Sequence, residues 1–124
     1  MVSEAEYREY LIELYKNPKN RGKIEDADYS GGADNASCGD SIKIYLKVKE
    51  GKIEDVKFDG VGCALSVASA SLFTDFLKGK SIEEAKKIGK ENVLNLIKID
   101  LSKNPTRMRC ALIPLDALKK ALEK

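Results

Sequence analysis

Three cysteines are the residues whose type and local setting point most directly to chemistry. They lie in three short motifs, Ser37-Cys38-Gly39-Asp40, Gly60-Val61-Gly62-Cys63-Ala64 and Arg107-Met108-Arg109-Cys110-Ala111. The chain contains 3 Cys and no His, and an odd number of cysteines cannot all pair in intramolecular disulfides. We therefore interpret the thiols as a set of soft metal ligands rather than as a covalent framework.

Predicted helices begin just after two of the cysteines. Cys63 precedes a long Ala- and Ser-rich segment, and Cys110 precedes an apolar stripe near the C-terminal end. A thiolate is favoured over a thiol at the positive end of a helix dipole, and Arg107 and Arg109 place further positive charge beside Cys110. The pattern predicts thiols that readily form thiolates and can therefore bind a metal. Taken alone, the two arginines are also typical of solvated charges.

The fourth predicted donor is a carboxylate. Asp40 follows Cys38 by two residues, across a glycine that lets backbone N–H groups approach a ligand. An acid here also fits a simple strand start, and any single cysteine is more often a small buried hydrophobe than a ligand. The cysteines are interpreted together because all three fall at predicted junctions between a loop and an element. The predicted ligands are Cys38, Asp40, Cys63 and Cys110.

The same sequence excludes several common kinds of site. There is no C-x-x-C, so neither a thioredoxin-type dithiol nor a zinc ribbon is supported. Without histidine, a Cys-His pair and a Ser-His-Asp triad are both impossible. The chain also lacks the G-x-x-x-x-G-K-[ST] pattern of a phosphate-binding loop.

Composition predicts one small domain that spans residues 1–124. The 124 residues are 43% hydrophobic, which is enough for a single modest core. The 22 basic and 20 acidic residues are interspersed, so no concentrated basic surface for nucleic acid is expected. The N-terminus has no basic and apolar leader pattern, and no run of about 18 apolar residues occurs, so we expect a cytoplasmic protein without membrane contact.

The first half of the chain predicts a helix and a hairpin. Residues 4–16 carry leucine and tyrosine side chains, Tyr10 and Tyr15 among them, at the spacing of one apolar helix face, after a Ser3/Glu6 capping-box pattern. Residues 41–49 alternate apolar and polar side chains, which predicts a strand, and the alternation of the next strand slips between Ile53 and Val56, which predicts a bulge. At most one further short strand is expected, at residues 28–32.

The second half predicts helices. Residues 64–77 are apolar or small on nearly every side, as in a buried helix. Short helices are expected from a Ser81/Glu84 capping box to Ile88 and around residues 93–97, followed by a loop over residues 98–109. A terminal helix is expected from Cys110, with Pro114 in its first turn. The predicted fold class is α+β, a small antiparallel sheet of about three strands with helices packed on one face.

The motifs together resemble the IscU and SufU group of iron–sulfur cluster assembly scaffolds, also seen as the N-terminal domain of NifU. The matching features, in chain order, are the helix from Tyr7 into Asn17-Pro18-Lys19-Asn20-Arg21-Gly22, then Cys38-Gly39-Asp40, then Gly60-Val61-Gly62-Cys63-Ala64-Leu65-Ser66, and finally Cys110 at a terminal helix. The resemblance covers nearly the whole chain.

The resemblance implies a non-enzymatic scaffold. A cysteine desulfurase would supply sulfur, a [2Fe–2S] cluster would assemble on the protein, and the cluster would pass to apo iron–sulfur acceptor proteins. Cys38, Cys63 and Cys110 match the cysteines of the family and Asp40 matches its aspartate. A homodimer sharing one cluster fits the same implication, with Tyr7 as a candidate contact or, alternatively, a solvated tyrosine.

The segment before the last cysteine departs from IscU. IscU-type chains have a Leu-Pro-Pro-Val-Lys segment and a histidine there, whereas this chain has Lys103-Asn104-Pro105-Thr106-Arg107-Met108-Arg109-Cys110. Arg109 stands in place of the histidine and stays protonated, so it is no ordinary ligand. The resemblance therefore gives little support for an Hsp70-type chaperone as partner.

The Arg-x-Arg-Cys ending is closer to SufU-type proteins, which resemble zinc-dependent sulfur-transfer partners of a desulfurase. SufU-type chains, however, carry an insertion before this cysteine, and this chain has no room for it. Two alternatives to the scaffold therefore stay open. One is a Zn²⁺-bound sulfur acceptor with sulfurtransferase activity, for which Cys110 is the predicted acceptor because a flexible loop is expected before it. The other is a structural zinc interaction module.

Overall fold

The computed structural model describes residues 4–35, 39–98, 101 and 103–123. Its elements, in chain order, are α1 (Glu4–Lys16), β1 (Tyr29–Asn35), β2 (Asp40–Lys49), β3 (Lys52–Val61), α2 (Ala64–Leu77), α3 (Ile82–Lys86), α4 (Lys90–Ile97) and α5 (Pro105–Leu122). The strands form a three-stranded antiparallel sheet in the order β1-β2-β3. The predicted α+β class is therefore confirmed.

The β2–β3 hairpin follows the predicted alternation. Ile42, Ile44 and Leu46 of β2 are buried, while the side chains between them face away from the helices. Near the turn, Lys47 pairs with Asp55 but the next residue of β2 pairs with Ile53. One extra residue on β3 therefore lies between Ile53 and Val56, which confirms the predicted bulge.

Helices α2 and α5 cover the apolar face of the sheet. α2 is buried along most of its length, as its small and apolar sequence predicts. The Ser69 hydroxyl donates a 2.6 Å hydrogen bond to the Ala111 carbonyl, which ties α2 to α5. The largest buried side chains are contributed by the sheet and these helices and include Phe58, Phe73, Ile42, Leu46, Leu77, Ile113 and Leu118.

Helix α1 has the predicted bounds but a narrower buried face. Leu11 and Leu14 pack against α2 at Ala68, whereas Tyr10 and Tyr15 are 44% and 45% exposed. The prediction that both tyrosines share the apolar face was therefore too broad. The Ser3 half of the predicted capping box lies outside the described residues.

The segment after α1 pairs with the outer edge of β3. The Phe58 N–H donates to the Asn20 carbonyl at 2.9 Å, and the Gly22 N–H donates to the Phe58 carbonyl at 2.8 Å. Asn20 has a φ of 64°, a left-handed conformation that asparagine tolerates, and its side chain reaches Thr74 of α2. The Arg21 guanidinium donates to the Gly60 carbonyl at 2.6 Å.

Helix α5 begins earlier than predicted, and the expected loop over residues 98–109 is wrong in its last part. The Asn104 side chain accepts a hydrogen bond from the Arg107 N–H and Pro105 occupies the first helical turn, a favoured start because proline has no N–H to leave unsatisfied there. Cys110 therefore lies inside α5 instead of at its start. Pro114 is likewise an interior residue and not part of the first turn.

The remaining elements differ from prediction mainly at their ends. β1 is a full strand that pairs with β2 over residues 29–35, longer than the single short strand expected. α3 begins with the predicted Ser81/Glu84 capping box, and the hydrogen bond from the Ser81 backbone lowers the pKa of Glu84. α3 ends before Ile88, and α4 starts at Lys90.

None of the described helices combines the length and apolar character needed to cross a bilayer.

Candidate metal centre

Three potential metal ligands converge where β2, α2 and α5 meet. Asp40 is the first residue of β2, Cys63 immediately precedes α2, and Cys110 lies in the second turn of α5. Their ligand atoms all lie within 4.8 Å of one another. A tetrahedral centre with metal–sulfur bonds of about 2.3 Å places its ligand atoms about 3.7 Å apart. Two thiols and a carboxylate at this separation fit a zinc or iron centre after a small contraction.

Asp40 is a buried carboxylate held from two sides. The residue is 2% exposed. Its Oδ1 accepts a 2.9 Å hydrogen bond from the Cys63 N–H, and its Oδ2 accepts a 2.9 Å hydrogen bond from the Ser66 hydroxyl. A buried carboxylate is tolerated only when such partners replace water. The hydrogen bonds fix Asp40 against the first turn of α2 and hence beside Cys63.

Two glycines, one at the end of β3 and one in the loop before Cys63, allow the chain to approach β2 closely. A Cβ at Gly62 would lie 2.9 Å from Asp40 Oδ1 and 3.0 Å from the Ser66 Cβ. Gly60 has a φ of 131°, and a Cβ there would overlap the Ser41 carbonyl. A side chain at either position would therefore displace the loop or the Asp40 carboxylate.

The two described cysteines differ in access. Cys63 is exposed and Cys110 is buried. Cys63 precedes α2 as predicted, so its sulfur lies at the N-terminal end of that helix. The corresponding prediction for Cys110 is wrong because α5 begins at Pro105, five residues before the cysteine. Arg107 and Arg109 lie on the same helix and are exposed.

The remaining predicted ligand, Cys38, lies outside the described residues. The structure therefore brings together three members of the predicted set, and the ligand role of all four stays a prediction. Sequence reasoning missed Ser66, which contacts Asp40 and lies 3.4 Å from Cys63 Sγ through its hydroxyl. The available signal was its position three residues after Cys63, the spacing at which a helical side chain faces back to the capping residue.

Comparison with known proteins identifies the family. The model of the NifU-like N-terminal domain matches residues 6–124. The chain belongs to the NifU-like N-terminal domain family. Among curated members, it is 43% identical over 116 residues to the iron–sulfur cluster assembly scaffold protein IscU 1 of Archaeoglobus fulgidus, covering 94% of this chain and 74% of that protein.

Members of both subgroups of the NifU-like family are similar to this chain. The zinc-dependent sulfurtransferase SufU of Bacillus subtilis is 35% identical, with 95% of this chain and 90% of that protein covered. The crystal structure of SufU from Fervidobacterium islandicum superposes with a TM-score of 0.78 at 31% identity, covering 98% of this chain and 99% of that one. The predicted resemblance to IscU and SufU is therefore confirmed.

Proposed function

We propose that this protein is a scaffold on which a [2Fe–2S] cluster is assembled and from which it is transferred. A cysteine desulfurase would supply the sulfur, and apo iron–sulfur proteins would receive the cluster. The observation that carries the proposal is the convergence of Asp40, Cys63 and Cys110, with ligand atoms within 4.8 Å of one another. Relatives named as iron–sulfur cluster assembly scaffolds support it.

The mixed set of thiolate and carboxylate ligands suits a cluster that must be released. Thiolates are the usual ligands of iron–sulfur clusters, whereas a carboxylate is a harder donor that suits such a centre less well. Both oxygens of Asp40 already accept hydrogen bonds from the protein, which draws electron density away from any metal bound there. Cys110 is buried and Cys63 exposed, so an acceptor protein would meet the cluster on the Cys63 side.

A second candidate function is zinc-dependent sulfur transfer. It is favoured by the 35% identity to a zinc-dependent sulfurtransferase and by the arginine that replaces the IscU histidine. In this function Cys38, Asp40, Cys63 and Cys110 would enclose Zn²⁺, and one thiolate would leave the metal to accept sulfur. The loop expected before Cys110 is a helix, so accessibility favours Cys63 over Cys110 among the described thiols.

Anaerobic purification followed by metal and acid-labile sulfide analysis distinguishes the two functions. Iron and sulfide in equal amounts, with visible absorption that a Cys63→Ser variant loses or alters, would support the scaffold. Stoichiometric zinc without sulfide, together with a persulfide on a mapped cysteine after incubation with a desulfurase and cysteine, would support sulfur transfer. A protein that binds neither iron nor zinc after reconstitution would contradict both.

A further inference from the structure

The Ser66 side chain contacts two of the converging ligands, Asp40 and Cys63. It is completely buried in the first turn of α2. Its hydroxyl donates to Asp40 Oδ2 at 2.9 Å and lies 3.4 Å from Cys63 Sγ. A serine carries a single hydroxyl proton, and the shorter contact assigns that proton to the carboxylate.

The rotation of the Asp40 carboxylate depends on this contact. The Cys63 N–H binds Oδ1 and fixes one oxygen, but one hydrogen bond leaves the carboxylate free to turn about that oxygen. The second hydrogen bond, from Ser66 to Oδ2, fixes the plane of the group. Hydrogen bonds of this kind, made to a ligand rather than to the metal, commonly set ligand orientation and metal affinity.

We propose that Ser66 is a positioning residue that orients Asp40 as a ligand and thereby sets how tightly the centre holds its metal. This inference rests on the proposed metal-binding function. Ser66 acts through Asp40 and needs no direct contact with the metal. The proposal therefore predicts that the effect of removing the hydroxyl disappears when Asp40 is itself removed.

The test uses Zn²⁺ affinity, measured by competition with a chromophoric chelator, and the absorption spectrum of the Co²⁺-loaded protein. Ser66→Ala should lower zinc affinity about tenfold or more, because the loss of ligand orientation outweighs the gain in donor strength of the freed carboxylate oxygen. Ser66→Thr, which keeps a hydroxyl, should restore the affinity. The ligand-field bands of Co²⁺ should shift in Ser66→Ala while the thiolate charge-transfer bands stay, because only the oxygen ligand is disturbed.

Ser71→Ala is the matched control. Ser71 is also a completely buried serine of α2, but it lies five residues further along the helix, where its hydroxyl accepts a hydrogen bond from the Lys19 N–H. Its removal should leave zinc affinity unchanged. Thermal melts verify that each variant is folded, and if Ser66→Ala does not fold, Ser66→Thr and Ser66→Val compare side chains of the same shape with and without the hydroxyl.

Three results would overturn the proposal. The first is a folded hydroxyl-free variant with wild-type zinc affinity and Co²⁺ spectrum. The second is an equal loss of affinity on adding Ser66→Ala to Asp40→Ala, since Ser66 would then not act through Asp40. The third is a wild-type protein that binds neither Zn²⁺ nor an iron–sulfur cluster. That result would show that the proposed function itself has failed.

Discussion

The environment of Asp40 explains how a charged group can sit in the interior and still act as a weak ligand. At 2% exposure its charge is compensated by the Cys63 N–H and the Ser66 hydroxyl. Hydrogen bonds to charged groups are stronger than those between neutral groups. The same two bonds that make burial tolerable therefore also reduce the donor strength of the carboxylate.

Replacing Asp40 by alanine should slow cluster release. Without the weak oxygen ligand, a bound cluster would be held mainly by thiolates, and transfer to an apo-ferredoxin, followed by circular dichroism, should be slower than from the wild type. Asp40→Ala should also cost about 1–3 kcal/mol of unfolding free energy, because the buried Ser66 hydroxyl and the partly buried Cys63 N–H lose their acceptor.

Asp40→Asn separates the two effects. An amide oxygen can still accept from the Cys63 N–H, and its NH₂ group can donate to Ser66, so stability should be retained while the carboxylate is lost. We expect slow transfer from this variant as well. Unchanged or faster transfer from both variants would show that Asp40 does not govern release.

The candidate site was largely predictable from the sequence because its chemistry is concentrated in unusual residues. Cys63 and Asp40 each lie next to glycine in a short motif, and the absence of histidine limited the choice of ligands. Ser66 was not found because it lies within an Ala- and Ser-rich helix, where a functional serine and a packing serine look alike. Only the contact with Asp40 distinguishes it.

At the scale of elements, periodic segments were predicted well and irregular ones poorly. The β2–β3 hairpin and α2 follow from alternation and from a continuous apolar run. β1 was underestimated because its sequence, Tyr29-Ser30-Gly31-Gly32-Ala33-Asp34-Asn35, is rich in residues depleted in strands. Tertiary packing overrides that preference, since β1 lies between β2 and helix α5.

Gly31 of β1 has a packing reason that can be tested. A Cβ at Gly31 would lie 2.8 Å from the Ala117 carbonyl oxygen and closer still to the Ala121 nitrogen, both backbone atoms of α5. Backbone atoms cannot yield as a flexible side chain can, so Gly31→Ala should lower the unfolding free energy by about 1–3 kcal/mol. Urea denaturation followed by circular dichroism measures the loss.

The neighbouring residue supplies the control. A Cβ at Gly32 would come no closer than 3.5 Å to any atom outside its chain neighbours, so Gly32→Ala should leave stability almost unchanged. Equal stabilities of the two variants would mean that α5 is not packed as closely on β1 as the structure shows.

The start of α5 shows how the misassignment of one proline leads to the wrong position for a candidate ligand. Pro105 was interpreted as a loop residue, although the sequence Asn104-Pro105 is also a typical helix start. Local sequence does not decide between the two, because the decision depends on α5 packing against the sheet and α2. The consequence was the wrong placement of Cys110 at a helix end.

At the scale of the whole molecule, we expect the core to form without a metal. The buried cluster contains Phe58, Phe73, Ile44 and Leu118, drawn from both the sheet and the helices, and the three ligands lie where these elements end or pack. Structural zinc domains behave differently, since metal binding supplies their folding free energy.

Chelation should therefore leave the protein folded. After zinc is removed with EDTA, far-UV circular dichroism should be unchanged, and the melting temperature should fall only as far as loss of a bound ligand requires. A Cys63→Ser variant, melted with and without EDTA, controls for effects of the chelator itself. Collapse of the wild-type fold on chelation would instead favour a structural zinc module.

The pairing of residues 20–22 with β3 has a consequence for the behaviour of the protein at high concentration. A three-stranded open sheet has two free edges, and an unprotected edge can pair with the edge of another molecule and begin aggregation. The Asn20 carbonyl and the Gly22 N–H engage the main chain of Phe58 on the outer side of β3. The segment thus blocks intermolecular strand addition at this edge, beside the strand that leads to Cys63.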